Sequence, residues 1–65
     1  MNFENIKLLA EQGNIYAQYK LGDCYYSGVG CEINRQLSFK WYQKSAKLGN
    51  YSAIYDLRKK NIWKD

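Results

Sequence analysis

The chain repeats itself once, 36 positions later. Ala10, Gly13, Asn14, Ala17, Tyr19 and Leu21 recur as Ala46, Gly49, Asn50, Ala53, Tyr55 and Leu57, and Phe3 recurs as Phe39. A period of this length marks stacked helical units that bury their apolar faces against their neighbours. The spacing therefore predicts an all-α fold. About four antiparallel helices stack as helix–turn–helix units, and residues 1–65 form a single domain.

The helix boundaries follow from local chemistry. Asn2 caps a first helix whose apolar row is Phe3, Ile6, Leu9 and Ala10, spaced by three and four. Gly13 closes it, and Asn14 caps a second helix running to about Ser27. That helix turns Ala17, Leu21, Cys24 and Tyr25 inward, and Gly22 leaves room for a close neighbour. Gly28-Val29-Gly30 makes a loop, and Asn34 caps a third helix. The third helix is expected to bury Leu37, Ser38, Trp41, Ser45 and Leu48. Gly49-Asn50 repeats the first junction and starts a fourth helix through Ala53, Ile54 and Leu57, with Ile62 and Trp63 as a C-terminal lid.

These residues resemble the Sel-1-like repeat, a relative of the tetratricopeptide repeat. The resemblance rests on Ala17, Leu21-Gly22, Tyr25, Gly28-Val29-Gly30, Trp41-Tyr42, Ala46, Gly49 and Ala53 and covers about residues 10–57. Cys31, Asn34, Ser38 and Ser45 depart from it, standing where the family has Val, Asp, Ala and Ala. The resemblance implies a short right-handed superhelical scaffold that binds other proteins and does no chemistry. One unit is complete, with a half unit on each side. Repeat arrays need about three units to stand alone. Two open stacking faces therefore predict self-association, as a dimer or higher, or completion by a partner.

The residues themselves point away from catalysis. There is no His, the commonest general base and the usual activator of a cysteine nucleophile. Two cysteines, Cys24 and Cys31, do not complete a four-ligand zinc site. Gly28-Val29-Gly30 lacks the third Gly and the Lys-Ser/Thr of a phosphate loop. No enzyme activity, cofactor or metal is expected. No segment has the length of a membrane span, and the first residues do not form a secretory signal. A reducing cytoplasm with both thiols free is the expectation.

Charge and aromatics suggest where a partner binds. Residues 1–33 hold two Lys/Arg and four acids, whereas residues 34–65 hold eight Lys/Arg and two acids. The halves are thus −2 and +6, which predicts a protein partner with an acidic surface, as for an inhibitor or immunity-type protein. Tyr19, Asp23 and Tyr26 form one stripe on the second helix, bordered by Tyr16, and Tyr55 is the repeat mate of Tyr19. Together with Arg58 these are the candidate partner-binding residues, since Tyr combines contact area with a polar tip. Packing between stacked units would use Tyr19 and Tyr55 equally well. The alternative function is nucleic-acid association. It would use Arg58, Lys59, Lys60 and Lys64 on phosphates and the Lys40-Trp41-Tyr42-Gln43-Lys44 run for stacking.

Overall fold

The computed structural model describes residues 2–59. Four helices follow in order: α1 (Phe3–Glu11), α2 (Ile15–Ser27), α3 (Arg35–Lys47) and α4 (Tyr51–Lys59). Each packs on the next along the chain, and the described residues contain no strand. Ile62 and Trp63 lie outside the described residues, as do Lys60 and Lys64.

An asparagine starts every helix. The side chain of Asn2 accepts from the Asn5 amide at 2.9 Å, Asn14 from Ala17 at 2.8 Å and Asn34 from Leu37 at 3.1 Å. Asn50 accepts from Ser52 at 2.9 Å and Ala53 at 3.3 Å. Each cap satisfies amides that the first turn leaves without a helical partner. The helix ends repeat as closely as the starts. Gly13 N–H donates to Ala10 at 3.0 Å and Asn14 N–H to Leu9 at 3.1 Å. Thirty-six residues on, Gly49 donates to Ala46 at 3.0 Å and Asn50 to Ser45 at 3.1 Å. Both glycines have positive φ, +99° and +102°, which a Cβ would resist.

The repeat also maps one core onto the other. The first core is Ile6, Ala10, Ala17, Leu21 and Cys24, with Phe3 packed against it. The second is Tyr42, Ala46, Ala53 and Leu57, with Phe39 packed against it. Ile6, Ala10, Ala17, Leu21 and Phe3 become Tyr42, Ala46, Ala53, Leu57 and Phe39 on adding 36. Each pair of helices, α1/α2 and α3/α4, therefore builds its own small core.

In α3 the expected burial holds at Ser38 and Ser45 but not at Leu37, Trp41 and Leu48. Ser38, Tyr42, Ser45 and Ala46 are buried, Leu37 and Trp41 are half-buried, and Leu48 is 53% exposed. The helix is rotated so that polar groups of α3 reach the backbone of α2. Ser38 Oγ donates to the Gly22 carbonyl at 2.7 Å and Ser45 Oγ to the Ile15 carbonyl at 2.9 Å. Asn50 Nδ2 in turn donates to Ser45 Oγ at 2.9 Å. The two serines that depart from the family's alanines thus become interhelical fasteners, and their order shows that α2 and α3 run antiparallel.

Gly22 sets the separation of this pair. A Cβ there would lie 2.8 and 2.9 Å from two ring atoms of Tyr42 and 3.2 Å from the Ser38 carbonyl oxygen. On propensity alone Gly22→Ala would gain about 1 kcal/mol of helix stability. Forcing α3 outward costs more, so a net loss of about 1–2 kcal/mol is expected. The urea midpoint of unfolding reads this directly, and an unchanged or raised midpoint would show that the helices are not held at this distance.

Candidate interaction surface

The seam joining the two cores is built from tyrosines and aspartates. Tyr19 on α2 stacks at a tilt on Tyr42 of α3, ring centroids 5.6 Å apart. Tyr19 Oη donates to Asp56 Oδ2 of α4 at 2.5 Å. Tyr42 Oη donates to Asp23 Oδ1 of α2. Two phenols and two carboxylates therefore link three helices. Tyr26 continues the seam, with its ring 6.5 Å from that of Phe39. The Arg35 guanidinium lies 4.1 Å from the Tyr26 ring centroid, and Arg35 Nε donates to the Tyr26 carbonyl at 3.1 Å.

This arrangement locks both phenols in the neutral form. Burial raises the pKa of Tyr42, and the hydrogen bond to Asp23 and the nearby carboxylates raise it further. Tyr19 is raised by burial and then by its bond to Asp56. The ordinary value is 10.0 for either residue, so above that pH the unfolded chain releases protons that the folded chain retains. Stability from this source is complete below about pH 10 and falls as pH rises further. The urea midpoint is expected to drop between about pH 10 and pH 12, and less steeply in Tyr42→Phe. Equal slopes in the two proteins would mean that the Tyr42 phenol is not linked to folding.

The six residues singled out in the sequence fall into two groups. Tyr19 and Asp23 are brought together with Tyr42 and Asp56, and Tyr26 packs against Phe39. Tyr16 and Tyr55 are each 63% exposed, and Arg58 is exposed. Lys20 Nζ lies 5.9 Å from the Tyr16 ring centroid and Lys59 Nζ 5.9 Å from that of Tyr55. Tyr16 lies on the α1 side of the stack, where it helps line a pocket of about 180 Å³ with Ile6, Leu9, Asn14, Ala17 and Lys20. Tyr55 and Arg58 lie on α4, at the other end of the helix order.

Tyr42 is a seam residue that sequence reasoning missed. A signal existed: Tyr42 stands 36 positions after Ile6, an apolar position of the first helix. The same 36-residue offset pairs Asp56 with Lys20, reversing the charge.

The remaining groups offer little chemistry. Cys24 and Cys31 are free thiols. Burial raises the pKa of both, and Cys31 and Asp23 add to the effect at Cys24. Cys31 Sγ contacts the Cys24 carbonyl at 3.5 Å. Among the described residues no group of three or more His, Cys, Asp or Glu could hold a metal ion, and no helix is long and apolar enough to cross a membrane. Trp41 is half-buried against the first core, with Lys44 Nζ 5.6 Å from its ring centroid.

Antiparallel helix pairs with matching cores, joined through a seam, define a helical-repeat scaffold of the α-solenoid class. Comparison with known proteins gives the family. The Sel1 repeat profile matches residues 15–50, and the chain belongs to the Sel1 repeat family. Over 47 residues it is 47% identical to the putative sel1-like repeat-containing protein L18 of Acanthamoeba polyphaga mimivirus, covering 72% of this chain and 8% of that protein. It is 41% identical over 51 residues to the DAP3-binding cell death enhancer 1 of Rattus norvegicus, covering 78% of this chain and 10% of that protein. It is 38% identical over 52 residues to the chitin synthase regulator SKT5 of Saccharomyces cerevisiae, covering 80% of this chain and 8% of that protein. The chain thus spans a tenth or less of the length of these relatives. No solved structure matches it. Sel1 repeats are protein-interaction modules.

Proposed function

We propose that residues 1–65 act as one non-catalytic protein-binding domain whose exposed end faces meet the partner. The observation that carries this is the division of the tyrosines. Tyr19, Asp23 and Tyr26 are engaged in holding helices together, whereas Tyr16, Tyr55 and Arg58 offer large exposed side chains. Exposed aromatic and arginine side chains are the types that dominate interface energetics. The names of two relatives fit such a role, one as a binder of another protein and one as a regulator of an enzyme.

The partner surface is acidic in this reading. Eight of the ten basic residues lie in 34–65, and Arg58 and Lys59 are exposed on α4. An inhibitor or immunity-type protein docking on an acidic enzyme surface is the specific form of the proposal. A cytoplasmic location suits two free thiols.

Affinity capture with the whole chain from its native cells tests the reading. One stoichiometric protein is expected, retained after nuclease treatment and lost with Tyr55→Ala combined with Arg58→Glu. Retention of nucleic acid alone would instead support the basic-tail alternative. Self-association through the end faces is the companion reading, and sedimentation of the purified chain at micromolar concentration separates it from binding to a different protein.

A further inference from the structure

We infer that the groove between α1 and α2 is the seat for an amphipathic helix of a protein partner, entering in the register in which α2 sits on α3 and α4. The inference rests on the protein-binding reading and adds the site, the occupant and its charge. The internal seam shows how such a seat is filled. There α2 meets Ser38, Tyr42, Ser45 and Asp56 through Ile15, Tyr19, Gly22 and Asp23. Subtracting 36 turns those four seam residues into Asn2, Ile6, Leu9 and Lys20. Ile6, Leu9 and Lys20 all line the pocket at α1 and α2. The pocket therefore lies where a further α2-like helix would dock.

The substitutions define the occupant. Tyr42 is replaced by Ile6 and Ser45 by Leu9, so an aliphatic side chain stands at each of these positions and the seat is more apolar there than the seam. Asp56 is replaced by Lys20, so the charge is reversed. In the seam, the Tyr19 and Tyr42 ring centroids lie 5.6 Å apart, Tyr19 donating to Asp56 and Tyr42 to Asp23, so the two carboxylates flank one ring pair. An occupant with a carboxylate at the position of Asp23 would thus lie near the Lys20 ammonium. Charge pairs of this kind set register and specificity at interfaces.

A second copy suits the seat poorly. The α4 residues matching Ile15, Tyr19, Gly22 and Asp23 are Tyr51, Tyr55, Arg58 and Lys59. Stacking α4 of another copy here would set Lys59 near Lys20 and put Arg58 where α2 presents glycine. Like charges in a shared contact oppose that pairing.

A charge-swap titration decides the matter. The probe is a capped, fluorescent peptide with the sequence of residues 14–27 carrying Cys24→Ser, added to the full chain and followed by anisotropy. Saturable binding is expected, weakened about tenfold by Lys20→Glu and by less in Lys20→Gln. A peptide carrying Asp23→Lys is expected to prefer the Lys20→Glu chain to the wild type. Thermal melts of the variants establish that they remain folded. No saturable binding, or binding indifferent to the swap, would overturn the seat. So would a dimer of the chain that the peptide disperses, since a second copy would then be the occupant. Capture of a partner that ignores Lys20 would overturn the seat while leaving the protein-binding reading intact.

Discussion

Tyr42→Ala is expected to leave the chain largely unfolded at room temperature. Tyr42 is fully buried, stacks on Tyr19 and donates to Asp23. Truncating a buried aromatic costs about 3–5 kcal/mol. A domain of this size has only about 3–10 kcal/mol in total, at roughly 0.05–0.15 kcal/mol per residue. The loss is thus comparable with the whole stability. Tyr42→Phe keeps the ring and removes only the hydroxyl, so its expected cost is about 1 kcal/mol. Far-ultraviolet circular dichroism on heating measures both. A cooperative melt of Tyr42→Ala near the wild-type temperature would show that the seam does not hold the two cores together.

Leu21→Ala is expected to cost about 2–5 kcal/mol. Leu21 is fully buried in the first core, and its repeat mate Leu57 is fully buried in the second. The two substitutions remove the same atoms, so their difference reports on context. Helix α2 packs on both α1 and α3, whereas α4 packs on α3. In a stack of nearest neighbours, loss at a shared helix weakens two interfaces. Leu21→Ala should therefore lower the urea midpoint more than Leu57→Ala. The reverse order would mean that α4 is the more central helix, contrary to the stack described.

The sequence exposed the local parts of this fold because their causes are local. An asparagine cap needs only the amides two and three residues ahead. A Gly-Asn junction needs only the last turn behind it. All four helix starts and both repeated junctions were legible for that reason. The orientation of α3 was legible only at Ser38 and Ser45, because its buried row is completed by Tyr42 and Ala46. Hydrophobicity favours Leu37, Trp41 and Leu48 in that helix, but hydrogen bonds to α2 and the close approach at Gly22 decide its rotation. The tyrosine stripe was legible as a pattern, with contact and packing both open. Its members separate only once Asp56 and Phe39, far away in sequence, are brought beside Tyr19 and Tyr26.

The copies of the repeat agree in their caps and cores and disagree in charge at the seam positions. Asp23 has Lys59 as its mate, and Asp56 has Lys20. An array extended by identical units would repeat these charges. Here the internal seam uses acids with phenols, while the equivalent positions at the two ends are basic. That asymmetry is the physical ground for the proposal that a partner meets the ends while the middle holds the helices together.

Amide hydrogen exchange of the chain, free and bound to its captured protein, tests that assignment most directly. New protection is expected around Leu9 and Tyr16, and around Tyr55 and Arg58. The amides of the seam, from Tyr19 to Asp23 on the α3 side, should already be protected in the free chain and change little. New protection confined to Asp23, Tyr26 and Phe39, with the ends unchanged, would contradict the account.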